Sequence, residues 1–444
     1  MRFTSLVIEL IRARPRLVVW LVVLLQAALW LFMSMLLYRS PPNDLATMVA
    51  FGREYQVGTD LGPPLAFWLA DIAFRAAGNH MFGVYLLAEL CAVATFWTLF
   101  LLARAIVGGQ QAVLAVLLTM TVLAFSSPGL EFGPLVLARP LWALLLLHSW
   151  QLIGQNRRNA WFAWSIEAGL LLLTTSAAIV LLALLVGFAV ATARGRRVLK
   201  SFDPLFALLV VVVLVLPYLV WLIRADALGW PHWAAVSDLS GSALHWAALI
   251  GGLLFAALGI AVLAALNSAW LARNPEEAPI IFRPPVDRLA RDFVYFFALA
   301  PAFAAIAITL FAPWTGSAEV ATSLPAAAIA QFFDDSFERR TNQRLAAVSG
   351  DAHLATLITL SRDRPHLFLA ATPQRTPWTN SSKFNETGGV LVWRASDTAG
   401  TPPADIALRF PGLVPEVPRS FEWLVNGRQP LMRIGWAIIR PKPN

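Results

Sequence analysis

The chain has 444 residues, of which 58% are hydrophobic and only 14% charged, whereas a soluble domain carries about 25% charged residues. So few charges cannot cover a water-exposed surface of this size, which excludes an ordinary soluble globular protein and points to an integral membrane protein. The net charge of +8 is no sign of nucleic-acid binding, because many of the arginines cluster between apolar runs, where the positive-inside bias accounts for them.

A helix needs about 20 apolar residues to cross the hydrocarbon. Nine runs approach that length, at 17–38, 82–104, 111–126, 134–153, 160–174, 176–194, 204–223, 243–268 and 292–312. The first is too long for a signal-peptide core and lacks a small-residue cleavage site, so it is expected to stay as a span. The runs at 160–174 and 176–194 read as a hairpin turning at Thr174, Thr175 and Ser176.

Between the first two runs lies a loop, residues 39–81, that is too long for a hairpin and too apolar for a linker. Two stretches in it, "LATMVAFGREYQ" and "LAFWLADIAFRAAG", carry helical apolar stripes (Leu45, Met48, Val49 and Phe51 in the first). They predict two short amphipathic helices lying along the membrane face. Asp44 stands at the start of the first helix, behind Pro41-Pro42, and Asp60 precedes Pro63, Pro64 and Trp68. On the local pattern alone Asp44 is equally well an N-cap, and Asp60 a turn cap.

After Pro313 the composition becomes mixed. "AIAQFFDDSFERRTNQRLAAVSG" predicts a helix with a Gly stop, and "HLATLITL", "HLFLAAT", "GVLVWRA" and "RIGWAIIRP" predict strands. The expected fold class is therefore an α-helical polytopic membrane protein, with residues 1–313 as the membrane domain including loop 39–81, and residues 330–444 as a small α/β domain.

Sidedness follows from five basic clusters: Arg12, Arg14 and Arg16; Arg104; Arg157 and Arg158; "ARGRRVLK" ending at Lys200; and Arg273, Arg283, Arg288 and Arg291. All fall on one side if the nine runs alternate, and that side is cytoplasmic. The N-terminus is then cytoplasmic, while the 39–81 loop and the C-terminal domain are extracytoplasmic. Cys91 is the one cysteine, so no intrachain disulfide forms. The six histidines show no metal-ligand spacing, so no metal and no cofactor are expected.

An aspartate just after the first span (Asp44), then "GPPLAFWL" at 62–69, then "LVLARPLWALLLLHSWQLIGQNRRNAWFAWSIEAGLLLLTTSAAIVLL" at 135–182 resemble the GT-C membrane glycosyltransferases. The nearest likeness is to their family 39 group, the protein mannosyltransferases and the lipid A aminoarabinose and galacturonic acid transferases. The resemblance covers roughly residues 15–310 and implies transfer of a sugar from a polyprenyl-phosphate donor to an extracytoplasmic lipid, glycan or protein. It implies a bacterial inner membrane, with Asp44 as the general base. Leu45 stands where the family usually has a second acid, Gly62 where it often has His, and Thr175 where it commonly has a phosphate-binding Lys.

No lysine lies in any membrane segment, so the donor phosphate would need arginine, with Arg53, Arg139 and Arg224 as candidates. Asp60, Pro63, Pro64, Trp68 and Thr175 would line the donor and acceptor slot. Glu131, on the turn between the third and fourth runs, is a second acid candidate or a plain exposed carboxylate. Inside the spans, ionisable groups are costly and are functional hypotheses by default. Arg139 also reads as one half of a buried pair with Glu89 or a backbone carbonyl, and Glu167 as a structural hydrogen-bonding group. The missing lysine and second acid leave a second reading, a non-catalytic GT-C-like subunit or lipid-binding protein.

Overall fold

The computed structural model describes residues 10, 13–120, 132–224, 323–423 and 431–441. Ten helices come first: α1 (Pro15–Leu37), α2 (Asn43–Gly52), α3 (Leu65–Ala76), α4 (Phe82–Val107), α5 (Gly109–Met120), α6 (Pro134–Ile153), α7 (Ala160–Leu172), α8 (Ala178–Ala191), α9 (Ala193–Leu199) and α10 (Asp203–Arg224). The C-terminal part then runs α11 (Ala326–Thr341), β1 (Ala347–Gly350), α12 (Ala352–Ile358), β2 (His366–Phe368), α13 (Ser381–Thr387), β3 (Gly389–Arg394), α14 (Ala404–Arg409), β4 (Glu416–Phe421) and β5 (Met432–Ile439).

These elements form two compact units, one of residues Met1–Met33, Ala88–Gly129 and Pro134–Ala305, the other of Ser34–Leu87, Leu130–Gly133 and Ile306–Asn444. In the first unit, α1, α4 and α5 bury Val19, Val23, Phe96, Phe100, Val113 and Met120 against one another. A second cluster joins α6, α7 and α8 through Ala138, Leu145, Ala168, Leu171 and Ala178. Large apolar residues stay exposed along α8 and α10, among them Val180, Leu184, Leu205 and Leu209, as expected of faces that meet lipid.

Among the described residues, α1, α4, α6 and α10 are long and apolar enough to cross a membrane, and α8 with α9 makes a fifth if the pair, bent by 106°, is one span. The described part of α5, which ends at Met120, and α7 are shorter than a full crossing. The expected spans at 243–268 and 292–312, and the end of 111–126, lie outside the described residues.

In the second unit the sheet order is β2-β1-β3-β5-β4. β1 pairs in parallel with β2 and β3, whereas β5 runs antiparallel to β3 and β4. The connection β1–α12–β2 is the crossover that a parallel pair requires. Residues 389–393 of β3 are buried on both faces, as expected of a central strand with helices on either side. Phe368, Phe384, Trp393, Ile406 and Phe410 form the core on the α13 and α14 face. Phe332 and Phe333 of α11 stack edge-on against Trp436.

Two expectations in this part fail. "HLATLITL" is helix α12, not a strand, because Asp351 Oδ1 caps it by accepting from the Leu354 N–H at 3.0 Å. Its residues 354–358 are all buried, and a short run buried all round carries no period that separates strand from helix. The helix expected up to Gly350 ends instead at Asn342, which takes a left-handed φ of 52°; Asn tolerates that conformation nearly as well as Gly. The released "AVSG" becomes β1. The sequence also gave no warning of β4, an edge strand interrupted by Pro418 and largely exposed.

The 39–81 loop forms the two expected helices, and Leu45, Met48, Val49 and Phe51 are all buried. The apolar stripe of α2 faces protein: Phe51 meets Trp378 edge-on at 5.2 Å. The loop thus belongs to the same compact unit as the C-terminal sheet.

Candidate functional site

Helices α2 and α3 cross closely because of Gly52: a Cβ there would lie 2.1 Å from the Phe67 carbonyl oxygen. Between them the chain turns at 59–62, where Thr59 and Gly62 exchange two backbone hydrogen bonds of 3.1 and 3.3 Å. Gly62 has φ +130°, a conformation that side chains disfavour, which gives a local reason for Gly where the resembled family often has His. Pro63 and Pro64 are buried, Pro64 is the N-cap of α3, and Trp68 Nε1 donates to the Gln56 carbonyl at 3.0 Å.

Asp44 is the second residue of α2, whose N-cap is Pro42. The N-cap reading of Asp44 therefore gives way to a first-turn position. Arg53 is the C-cap of the same helix, nine residues on, or about 13 Å along the axis at 1.5 Å per residue. Helix α2 thus holds the expected base and one expected phosphate ligand at opposite ends.

Around Arg53 lies a charged cluster built on Asp71, which is 0% exposed. Arg75 Nε donates to Asp71 at 2.8 Å, Arg364 donates to the other carboxylate oxygen, and the Tyr55 hydroxyl donates at 3.0 Å. Tyr55 and Arg364 both hold left-handed φ angles, 47° and 50°. Two uncommon backbone conformations meeting at one carboxylate mark a junction that its surroundings enforce. Burial lowers the Arg53 pKa, Arg364 and Arg75 lower it further, and Glu54 and Asp71 oppose the shift. Burial, then the hydrogen bond to Asp71, raises that of Tyr55. Two further pairs tie the loop to the C-terminal elements: Glu54 with His366 Nδ1 at 2.6 Å, and Asp60 with Arg375. Asp60 is thus an ion-pair partner.

A cavity of about 230 Å³ lies at the foot of this loop, lined by Tyr38, Arg39, Ser40 and Pro41 after α1, Asn79, His80, Met81 and Tyr85 at the start of α4, and apolar residues of α11 and α12. Arg39 and His80 are exposed. His80 Nδ1 accepts the Phe82 N–H at 3.1 Å, so in the neutral ring the proton sits on Nε2, which is left to donate. Pro41 stands three residues before Asp44, within about 10 Å of chain. Neither Arg39 nor His80 was singled out in the sequence. The signal was there: they bracket the loop, and both ends of a loop between two spans return to the same membrane face.

On the far side of Ala327 and Ala330, a second cavity of about 290 Å³ is lined by Asp334, Asp335, Glu338 and Asp363. Burial raises the Asp334 carboxyl to about 6. An acid whose folded pKa exceeds its unfolded one binds its proton more tightly when folded. Its contribution is fully present below the ordinary value of 3.8 and is lost as pH rises through about 6. Asp334→Asn, which cannot ionise, is expected to remove that decline and to be more stable than wild type at pH 7.5 by about 1–2 kcal/mol. Denaturation midpoints of both proteins at pH 4.5 and 7.5 check this; parallel pH dependences would return Asp334 to the ordinary range. Among the described residues no group of three or more His, Cys, Asp or Glu is placed to hold a metal.

The remaining expected residues lie elsewhere. Arg139, Thr175 and Arg224 belong to the unit of spans. Arg139 and Glu89 both interact electrostatically with Cys91. Thr175 Oγ1 accepts from the Ala177 N–H at 3.3 Å in the α7–α8 turn, and Arg224 is exposed at the end of α10. Glu167 pairs with His148 at 2.8 Å. Glu131 lies outside the described residues.

A family model described as dolichyl-phosphate-mannose-protein mannosyltransferase matches residues 62–221, from the Gly62 turn to near the end of α10. The crystal structure of ArnT from Cupriavidus metallidurans in the apo state matches 96% of this chain and 99% of its own, with a TM-score of 0.53 and 14% identity. No curated protein sequence matches the chain. The chain thus shares with ArnT a fold of apolar helices followed by a small C-terminal sheet, and over residues 62–221 it is similar to the mannosyltransferase family model.

Proposed function

We propose that the protein transfers a sugar from a polyprenyl-phosphate donor to an extracytoplasmic acceptor, with Asp44 as base. The observation that carries this reading is the cavity at the end of α1, where Arg39 and His80 stand among Tyr38, Tyr85, Ser40 and Pro41, with an apolar wall from α11 and α12. Its composition suits a phosphate that arrives on a lipid tail: cationic and hydroxyl donors at one side, hydrocarbon at the other.

In the proposed step an acceptor hydroxyl attacks the anomeric carbon and the carbon–oxygen bond to phosphate breaks. The acceptor proton passes to the Asp44 carboxylate. The charge left on the polyprenyl phosphate falls to Arg39 and to His80 Nε2–H, aimed where negative charge develops. Arg53, whose Nη1 is buried without a hydrogen-bond partner, is the second cation of the loop. Glu131 as a second acid, and Arg139, Arg224 and Thr175 as further donor-side groups, enter this reading through the resemblance, as do Asp60, Pro63, Pro64 and Trp68 as the slot. The loop and the sheet unit are extracytoplasmic in this reading, and the membrane is the bacterial inner one.

The test is transfer of labelled sugar by the purified full chain in nanodiscs, supplied with a panel of polyprenyl-phosphate sugars. Turnover with one donor is expected, and Arg39→Ala should raise the KM for that donor about tenfold or more, as loss of a charge-assisted contact does. No turnover with any donor would favour the non-catalytic, lipid-binding reading. Reporters fused at Arg158 and Asn444 should report opposite sides, and agreement between them would reject the topology.

A further inference from the structure

We propose that the unit of spans carries a second phosphate site, for the headgroup of an anionic phospholipid, in the corner between α6, α7 and α9. There a small cavity of about 100 Å³ is lined by Arg158, Arg197, Asn156, Trp161 and Ser201, over Leu152 and Val198.

The corner exists because the chain breaks after Thr192. Helix α9 leaves α8 at 106°, and Thr192 caps it by accepting the Gly195 N–H at 3.2 Å. Arg196 closes the end of α8 by donating to the Val190 and Ala191 carbonyls at 3.0 and 3.2 Å. That contact commits Arg196 to the fold and leaves Arg197, one residue on, at the cavity.

The lining is rich in donors. Arg158 and Arg197 come from different elements, are both exposed, and have no ion-pair partner among the described residues. Trp161 Nε1, a donor with no acceptor capacity, is buried without a hydrogen-bond partner. A buried N–H left unmade is costly, and an anion in the cavity would satisfy it. The nearby carboxylate, Asp203, is held by Ser201 Oγ at 3.2 Å and does not line the space. Two guanidinium groups beside an unpaired indole N–H match the oxygens of a phosphate.

The surroundings favour a lipid as the source. Ser201 is followed by Phe202, Leu205 and Phe206, which are 80%, 63% and 64% exposed at the start of α10. Acyl chains have an apolar surface there. Basic pockets beside the ends of spans are a recurrent headgroup site.

The experiment is native mass spectrometry of the full chain in detergent, titrated with phosphatidylglycerol, with phosphatidylcholine, and with inorganic phosphate alone. Wild type is expected to retain phosphatidylglycerol in preference to phosphatidylcholine. Arg158→Ala/Arg197→Ala, at two exposed positions, should bind it at least about tenfold more weakly. Trp161→Phe, which keeps the ring and deletes the N–H, should weaken it about threefold or more. Retention of inorganic phosphate instead, lost in the same variants, would keep the site and make free phosphate its occupant. Retention of neither, or equal retention by wild type and the double variant, would overturn it.

Discussion

Asp44→Asn is expected to leave the fold intact and to lower sugar transfer by about 10²–10⁴-fold, the usual weight of a general base. The two effects separate because of where Asp44 sits. It is the second residue of α2, behind an N-cap of Pro42, and an acid in the first turn of a helix contributes only about 0.3–1 kcal/mol through the helix dipole. Asparagine keeps the shape and loses only that. A loss of 10²–10⁴ in rate corresponds to about 3–5.5 kcal/mol of barrier at 1.36 kcal/mol per tenfold, well beyond the cost to the helix. Turnover and thermal melting of the same preparation should therefore diverge, with a large fall in the first and a small shift in the second. Near-normal turnover would remove Asp44 as the base and move attention to Glu131.

Asp71→Ala should do the reverse: it should damage stability first. Asp71 is fully buried, and Arg75, Arg364 and Tyr55 all donate to it. Its removal leaves the Arg364 guanidinium, with a side chain only 11% exposed, without its counter-charge. Breaking one partner of a buried pair costs about 3–5 kcal/mol, a drop of roughly 10 °C in Tm for a unit of this size. Tyr55 and Arg364 would also lose the contact that holds their left-handed backbones. Tryptophan-fluorescence melting of the full chain reads this, since Trp378 of the same unit packs on Phe51 of α2. A shift of less than about 2 °C would show that the loop is held in place chiefly by apolar packing such as Phe51 on Trp378. Arg364→Ala removes the partner with the least solvent access and should reproduce most of the loss, whereas Arg75→Ala, at a half-exposed side chain, should cost much less.

The sequence by itself determined the elements whose physical signal is local. Helices α1, α4, α6 and α10, long and apolar enough to cross a membrane, follow from apolar length, because a segment in lipid must satisfy its own backbone. Helices α2 and α3 follow from apolar stripes, and β3 and β5 from apolar runs rich in Val and Ile. The position of Asp44 ahead of the first stripe was legible for the same reason. Where a run lacked a period, as in residues 354–358, or where Asn342 rather than Gly ended a helix, the local signal was ambiguous and one element was mistaken while another was drawn too long.

Tertiary structure decided which charges meet. Asp71 with Arg364, Glu54 with His366 and Asp60 with Arg375 join residues about 300 positions apart, and no periodicity encodes such a pairing. It made α2 part of a folded unit with the C-terminal sheet, and it made Asp60 a partner of Arg375. The same holds for Arg39 with His80 and for Arg158 with Arg197. Each is unremarkable in its own segment and gains meaning only when chain reversal brings the segments to one cavity, since a binding site is set by distance in space while a sequence records distance along the chain.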